Sequence, residues 1–316
     1  MQLLITPSGI GPELAASVAR YSAAGVAPNT ARTYTSAWRS FEAWCSARSL
    51  PAVPAAPLTC AAYLAERAAQ LRASTLSVHL AAICQAHTAR GFKSPTDSPD
   101  VAGVARGIRR QHGTAPKKKA ALRPSDLKTT LKKLGSSARD RRDKALLLLG
   151  FCGGFRRSEL VELDVADVIF RDEGVLVSLR RSKTDQAGRG RMVAIEYGMS
   201  PATCPGAALE DWLHVAGIAS GAIFRRVNRH GTVQIQRLQG RAVARIVQER
   251  VGAIGLDTSV LGGHSLRSGL ATAAALARVD ERDISRRTGH RNLGVMRGYI
   301  QDADPFAAGV TQRLGF

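Results

Sequence analysis

No stretch of this 316-residue chain approaches the about 20 consecutive apolar residues of a membrane span. The opening residues, MQLLITPSGIGPELAA, lack the basic start and long apolar core of a signal peptide. Cysteines are few and scattered: Cys45, Cys60, Cys84, Cys152 and Cys204 form no CxxC pair and lie at no zinc-ligand spacing with a histidine. That argues against a disulfide framework and against a zinc site. Phosphate-binding glycine loops and acidic metal clusters are also missing, so neither nucleotide, metal nor other cofactor is expected. These absences point to a globular protein of the reducing cytosol, with no membrane partner. Acidic residues are scarce as well, 25 Asp and Glu against 45 Lys and Arg.

What is present starts from that imbalance. A formal charge of +20 and a sequence pI near 10.8 impose self-repulsion that few enzymes of small metabolites carry. A polyanion converts the same charge into affinity by releasing counterions, so nucleic acid is preferred over a merely basic surface or an acidic membrane. The length suffices for two ordinary domains.

Residues 1–26 mix Pro, Gly and Ala with short apolar runs and read as an arm or one loose helix. Over 27–110 the pattern is helical throughout. Pro28-Asn29-Thr30 is a helix start with Asn29 or Thr30 as its cap, and Tyr34, Trp38, Phe41 and Trp44-Cys45 recur on one face. Helices capped at Leu58-Thr59 and at Ser74-Thr75, then one over Asp100 to Arg110, complete a small bundle. Residues 111–122, with the triplet Lys117-Lys118-Lys119, read as a basic linker suited to crossing a DNA backbone. The remainder, 123–316, is α+β. Helices begin at Arg123-Pro124-Ser125-Asp126 and cover Asp140 to Gly150. After the Gly153-Gly154 break a further helix starts at Phe155. Three strands, Val168 to Phe170, Gly174 to Leu179 and Arg191 to Ile195, form one small antiparallel sheet. Only helices are expected after it, the last over Leu293 to Ile300, followed by a tail from about residue 301.

The chemistry gathers in two places. His264 and Arg267, three apart at a helix start behind Gly262-Gly263, share a face where free N–H groups favour a phosphate. Gly289 is a helix-ending glycine, His290 follows it, and Tyr299 lies nine residues on. Upstream, Arg156 stands at the helix start after the glycine break with Glu159 beside it, and Lys183 occupies a polar hairpin tip. Singly, each has an ordinary explanation as a surface or core residue.

In this order, Gly154-Phe155-Arg156-Arg157-Ser158-Glu159-Leu160, hairpin Lys183, His264-Ser265-Leu266-Arg267, Gly289-His290 and Tyr299, the chain resembles the tyrosine recombinase (phage integrase) family, which includes the Cre and Xer recombinases. The resemblance implies a mainly α protein: a helical, SAM-like core-binding domain followed by a mixed α+β catalytic domain with a small antiparallel sheet. It implies Tyr299 as nucleophile forming a 3′-phosphotyrosyl bond, Arg156, Arg267 and His290 on the phosphate oxygens, His264 as base, Lys183 as acid and Glu159 as support. Arg157 stands where the family often has an apolar residue, and spacing favours Arg156 as the inward one.

The implied partner is double-stranded DNA bearing a specific site, held by a homotetramer with room for an accessory protein, in the cytoplasm at the nucleoid. Groove contacts are expected from Arg32, Arg39, Ser74, Ser77, His79 and Gln85, and phosphate contacts from Arg180 and Arg181. The apolar tail, with Phe306, Val310, Leu314 and Phe316, is expected to dock in a neighbouring subunit. A type IB topoisomerase or telomere resolvase shares the chemistry; a non-catalytic DNA-binding regulator has no need of Tyr299.

Overall fold

Ala145 to Leu149 are buried on every side, which accounts for a helical run without a polar face. The computed structural model describes residues 11–114, 119–180 and 190–290, with Gly294, Gly298 and Leu314. The chain divides into two compact units, Met1–Lys117 and Lys118–Phe316. No helix among the described residues is long and apolar enough to cross a membrane.

The first unit holds α1 (Pro12–Ala24), α2 (Pro28–Ser46), α3 (Pro57–Arg67), α4 (Ala73–Thr88) and α5 (Pro99–His112). Proline at the first turn, not a polar side chain, starts α2 and α3, so Asn29, Thr30 and Thr59 cap nothing. Likewise α4 begins after Arg72 rather than at a Ser74 cap. Phe41, Trp44 and Cys45 do form the buried face of α2, and Tyr63 packs edge-on against Phe41 and Trp44 at 5.0 and 5.4 Å. The Tyr63 hydroxyl shares a 2.7 Å hydrogen bond with His79 Nδ1. His79 is therefore a core residue, and the groove contact expected of it is corrected. It falls on the buried stripe Leu76, His79, Ile83, His87, a helical spacing in which a histidine is read as polar and exposed until its partner is seen.

The second unit contains α6 (Pro124–Lys132), α7 (Ala138–Cys152), α8 (Arg157–Glu162), β1 (Val168–Arg171), β2 (Gly174–Leu179), β3 (Arg191–Glu196), α9 (Pro205–Val215), β4 (Arg225–Val227), β5 (Val233–Arg237), α10 (Gly240–Gly252), α11 (Gly263–Leu276) and α12 (Glu281–Thr288). Helix α7 is the axis, packed against α9 and α11. Near its start the buried Asp143 accepts from Arg142 and from Arg250 of α10, so two cations share one carboxylate. The first sheet is antiparallel in the order β1-β2-β3, with Val175, Val177, Leu179, Val193 and Ile195 turned into the core. A second, two-stranded sheet of β4 and β5 was not expected. β4 is only three residues, Arg-Arg-Val, and although Val-Gln-Ile-Gln in β5 alternates, no residue of either strand is fully buried, so the pair carries little of the apolar signal that marks a strand in sequence.

Gly269 lets α11 lie directly on the chain at Leu122, whose N–H donates to the Ser265 carbonyl at 3.0 Å. A Cβ at Gly269 would press on the Leu122 carbonyl oxygen and sit 2.8 Å from Phe151. Alanine is the better helix former by about 1 kcal/mol, but overpacking outweighs it. We expect Gly269→Ala to lose about 1–3 kcal/mol in urea denaturation; a stabilised variant would contradict this packing.

Candidate active site

The last turn of α12 organises the site. Gly289 takes the left-handed conformation (φ 66°, ψ 42°) that ends a helix, and its N–H donates to the Ser285 carbonyl at 2.7 Å. The helix C-terminus carries partial negative charge on unsatisfied carbonyls. Three arginines from three other elements satisfy them. Arg267 of α11, 1% exposed, donates through Nη1 to the Thr288 carbonyl and, at 2.8 Å, to that of Gly154. Arg156, the residue before α8, reaches the Gly289 carbonyl from Nη2 at 3.5 Å. Arg191, first residue of β3, donates to the carbonyls of Arg287 at 2.7 Å, Arg286 at 3.3 Å and Thr288 at 3.4 Å.

Glu159 stands at the third position of α8 and is buried. Its carboxylate accepts from the Arg156 backbone N–H at 2.8 Å, half of a capping box, and from Arg156 Nη1 at 2.6 Å. Arg191 Nη2 lies 3.6 Å from its second oxygen. One carboxylate thus serves two guanidiniums. Arg157, the competing arginine, is exposed. Gly154 makes the junction possible: its φ is +60°, and a Cβ there would meet Leu270 at 2.8 Å and Thr288 at 3.0 Å.

The two histidines lie within the field of these cations. Water reaches His264, the second residue of α11, yet the surrounding protein, followed by the charges of Arg267, Arg156 and Arg157, holds its imidazole below the usual range. His290 is half-buried and pushed down to about 3, by burial first and then by Arg267, Arg156, His264 and Arg191. Its Nδ1 is 2.7 Å from the Thr288 hydroxyl, which itself lies 2.6 Å from the Ile284 carbonyl. A carbonyl only accepts, so the single hydroxyl hydrogen goes to Ile284 and Nδ1–H of His290 donates to Thr288. The ring proton of neutral His290 is therefore on Nδ1.

Of the residues singled out from sequence, Arg156, Glu159, His264, Arg267 and His290 come together here. Lys183 and Tyr299 lie outside the described residues, as do Arg181, Lys117, Lys118, the apolar tail apart from Leu314, and the helix expected over 293–300 apart from Gly294 and Gly298. Arg180 is paired with Asp167 at 2.6 Å, and Lys119 donates to the Ser259 carbonyl. Arg32, Arg39, Ser74, Ser77 and Gln85 are exposed on α2 and α4. Sequence reasoning missed Arg191 and Thr288. Among the described residues, a cleft lined by Glu159, Glu162, Asp167, Arg180 and Arg237 sets three carboxylates against two guanidiniums, the wrong sign for a phosphate.

The phage integrase family profile matches residues 120–305, more than half of the chain. The chain belongs to this family, the tyrosine recombinases. It is accordingly an enzyme of DNA strand breakage and rejoining. It is 36% identical over 296 residues to the integrase/recombinase xerD homolog of Selenomonas ruminantium, covering 91% of this chain and 86% of that protein. It is also 27% identical over 296 residues to recombinase cre of Escherichia phage P1, covering 87% and 84%. Among solved structures, XerH recombinase in a post-cleavage complex with difH superposes with a TM-score of 0.60 at 16% identity, over 83% of this chain and 73% of that one. A lambda integrase dimer on a COC′ core site gives 0.59 at 17%, over 92% and 96%. At such identities the likeness is one of fold: mainly α with small antiparallel sheets.

His290 also ties the site to pH. Its folded pKa, about 3, lies below the 6.5 of an unperturbed histidine, so the unfolded chain binds more protons between those values. Its stabilising contribution is complete above pH 6.5 and is lost as pH falls toward 3. Urea midpoints from pH 7 to 4 should fall less steeply for His290→Gln than for wild type; superimposable slopes would contradict the assignment.

Proposed function

We propose that the chain is a site-specific recombinase that cuts and rejoins duplex DNA through a 3′-phosphotyrosyl bond at Tyr299. The observation that carries this reading is the convergence of Arg156, Arg267 and His290 at one helix terminus, with His264 in the field of the same arginines and Glu159 shared by Arg156 and Arg191. Such a group is short of negative charge. A phosphodiester supplies it, and the phosphorane transition state, with one further charge, supplies more.

Arg156 and Arg267 bind the non-bridging oxygens through planar, pre-oriented guanidiniums. Each is already held by protein acceptors, so little reorganisation remains when the phosphate arrives. His290, with Nδ1–H committed to Thr288, donates to a phosphate oxygen once Nε2 is protonated; the bound anion favours that protonation. His264, held neutral near pH 7, is competent to take the Tyr299 proton. The Tyr299 oxygen attacks phosphorus, the bond to the 5′-oxygen breaks, and Lys183 protonates the leaving oxygen. The tyrosyl phosphodiester retains the bond energy for religation. The basic faces of both units, +20 over the chain, suit duplex DNA, and exchange between two sites calls for four subunits.

A nicked duplex carrying the cognate site traps the intermediate. Wild type should give a denaturant-stable protein–DNA adduct and Tyr299→Phe none; an adduct in that variant refutes the nucleophile. Arg156→Ala and Arg267→Ala should bind the same duplex while forming adduct roughly a hundredfold more slowly or worse.

A further inference from the structure

Arg191 belongs to none of the motifs that led to the site, and its surroundings are unfavourable for stability alone. Its Nε is buried without an acceptor among the described residues. Burial, and after it the nearby charge of Arg156, disfavour its protonated form more than Glu159 favours it. A half-buried cation beside another cation is more simply replaced by an apolar side chain if packing is the only requirement.

Its contacts are instead directed at the groups that hold the phosphate-binding residues. The fork spans the carbonyls of Arg286, Arg287 and Thr288, and the Thr288 carbonyl is also the acceptor for Arg267. The same guanidinium is 3.6 Å from the Glu159 oxygen that accepts from the Arg156 N–H. It also packs on Gly289, where a Cβ would come within 2.8 Å of Nε and 3.0 Å of Cζ. One side chain on β3 thereby joins the acceptors of Arg156 and of Arg267, and the residue next to His290.

We propose that Arg191 is a positioning residue: it fixes the end of α12 against Glu159, and so sets the spacing of Arg156, Arg267 and His290 without touching DNA. This rests on the recombinase reading above. The planar fork is essential to it, because one ammonium cannot serve three carbonyls and a carboxylate.

The test uses the full-length enzyme, on the nicked duplex and without DNA. Arg191→Ala should slow adduct formation about tenfold or more at saturating DNA, while its Kd for that duplex, measured with Tyr299→Phe also present, stays within about twofold of the Arg191 protein. Arg191→Lys keeps the charge and guards against a failure of the alanine variant to fold; it should remain slow. A full rate in either variant, or an affinity loss matching the rate loss, overturns the proposal. Without DNA, the His290 imidazole followed by NMR should titrate at higher pH in Arg191→Ala, since a neighbouring cation has gone; an unchanged titration also overturns it. No adduct from wild type would refute the recombinase reading itself, whereas the NMR titration reports on Arg191 independently.

Discussion

Cations do not gather inside a protein unless something of opposite sign holds them, and here that role falls to Glu159 and the carbonyl end of α12. Arg156, Arg191 and Arg267 come from the start of α8, from β3 and from α11, and each is tied to one or both of these acceptors. The surrounding architecture follows. Gly154 must be small and left-handed for α7 to deliver Arg156 and for Arg267 to reach its carbonyl; Gly289 must be so for α12 to end beneath Arg191. The deeply buried α7 supplies the rigid axis from which the junction is measured.

The same acceptors explain why the site is poised rather than self-neutralised. Carbonyl dipoles and a shared carboxylate compensate the guanidiniums incompletely, and burial first, then the remaining positive field, keeps both histidines neutral. In the proposed mechanism a neutral His264 is what proton abstraction from a tyrosine needs, and a His290 with Nδ1 committed to Thr288 would gain its second proton when an anion arrives. Electrostatics alone would then couple substrate charge to protonation state.

Much of this was legible in the sequence because it is local. Arg156 followed three residues later by Glu159 is a helix start in which the acid reaches back, His264 and Arg267 share a face by spacing alone, and Gly289 announces a helix end. The alternation of β1 to β3 and the apolar run of α7 were equally plain. What escaped depends on partners distant in sequence or on groups without residue identity. Arg191 contacts backbone carbonyls 95 to 97 residues away, and any residue has a carbonyl. The pair β4 and β5 is short and none of its residues is fully buried, so its apolar signal is weak, and His79 is satisfied by a tyrosine 16 residues earlier that no pattern links to it.

On the proposed reading, Glu159 stabilises a cation cluster whose counter-charge is a DNA phosphate. Thermal unfolding of Glu159→Gln, compared with its parent in a Tyr299→Phe background, with and without the cognate duplex, addresses it directly. Without DNA the variant should be destabilised, by roughly 3–5 kcal/mol if the loss resembles that of a buried ion-pair partner. With DNA the gap should narrow, because the phosphate supplies the missing charge. A variant as stable as its parent without DNA, or a gap that DNA leaves unchanged, would contradict the account.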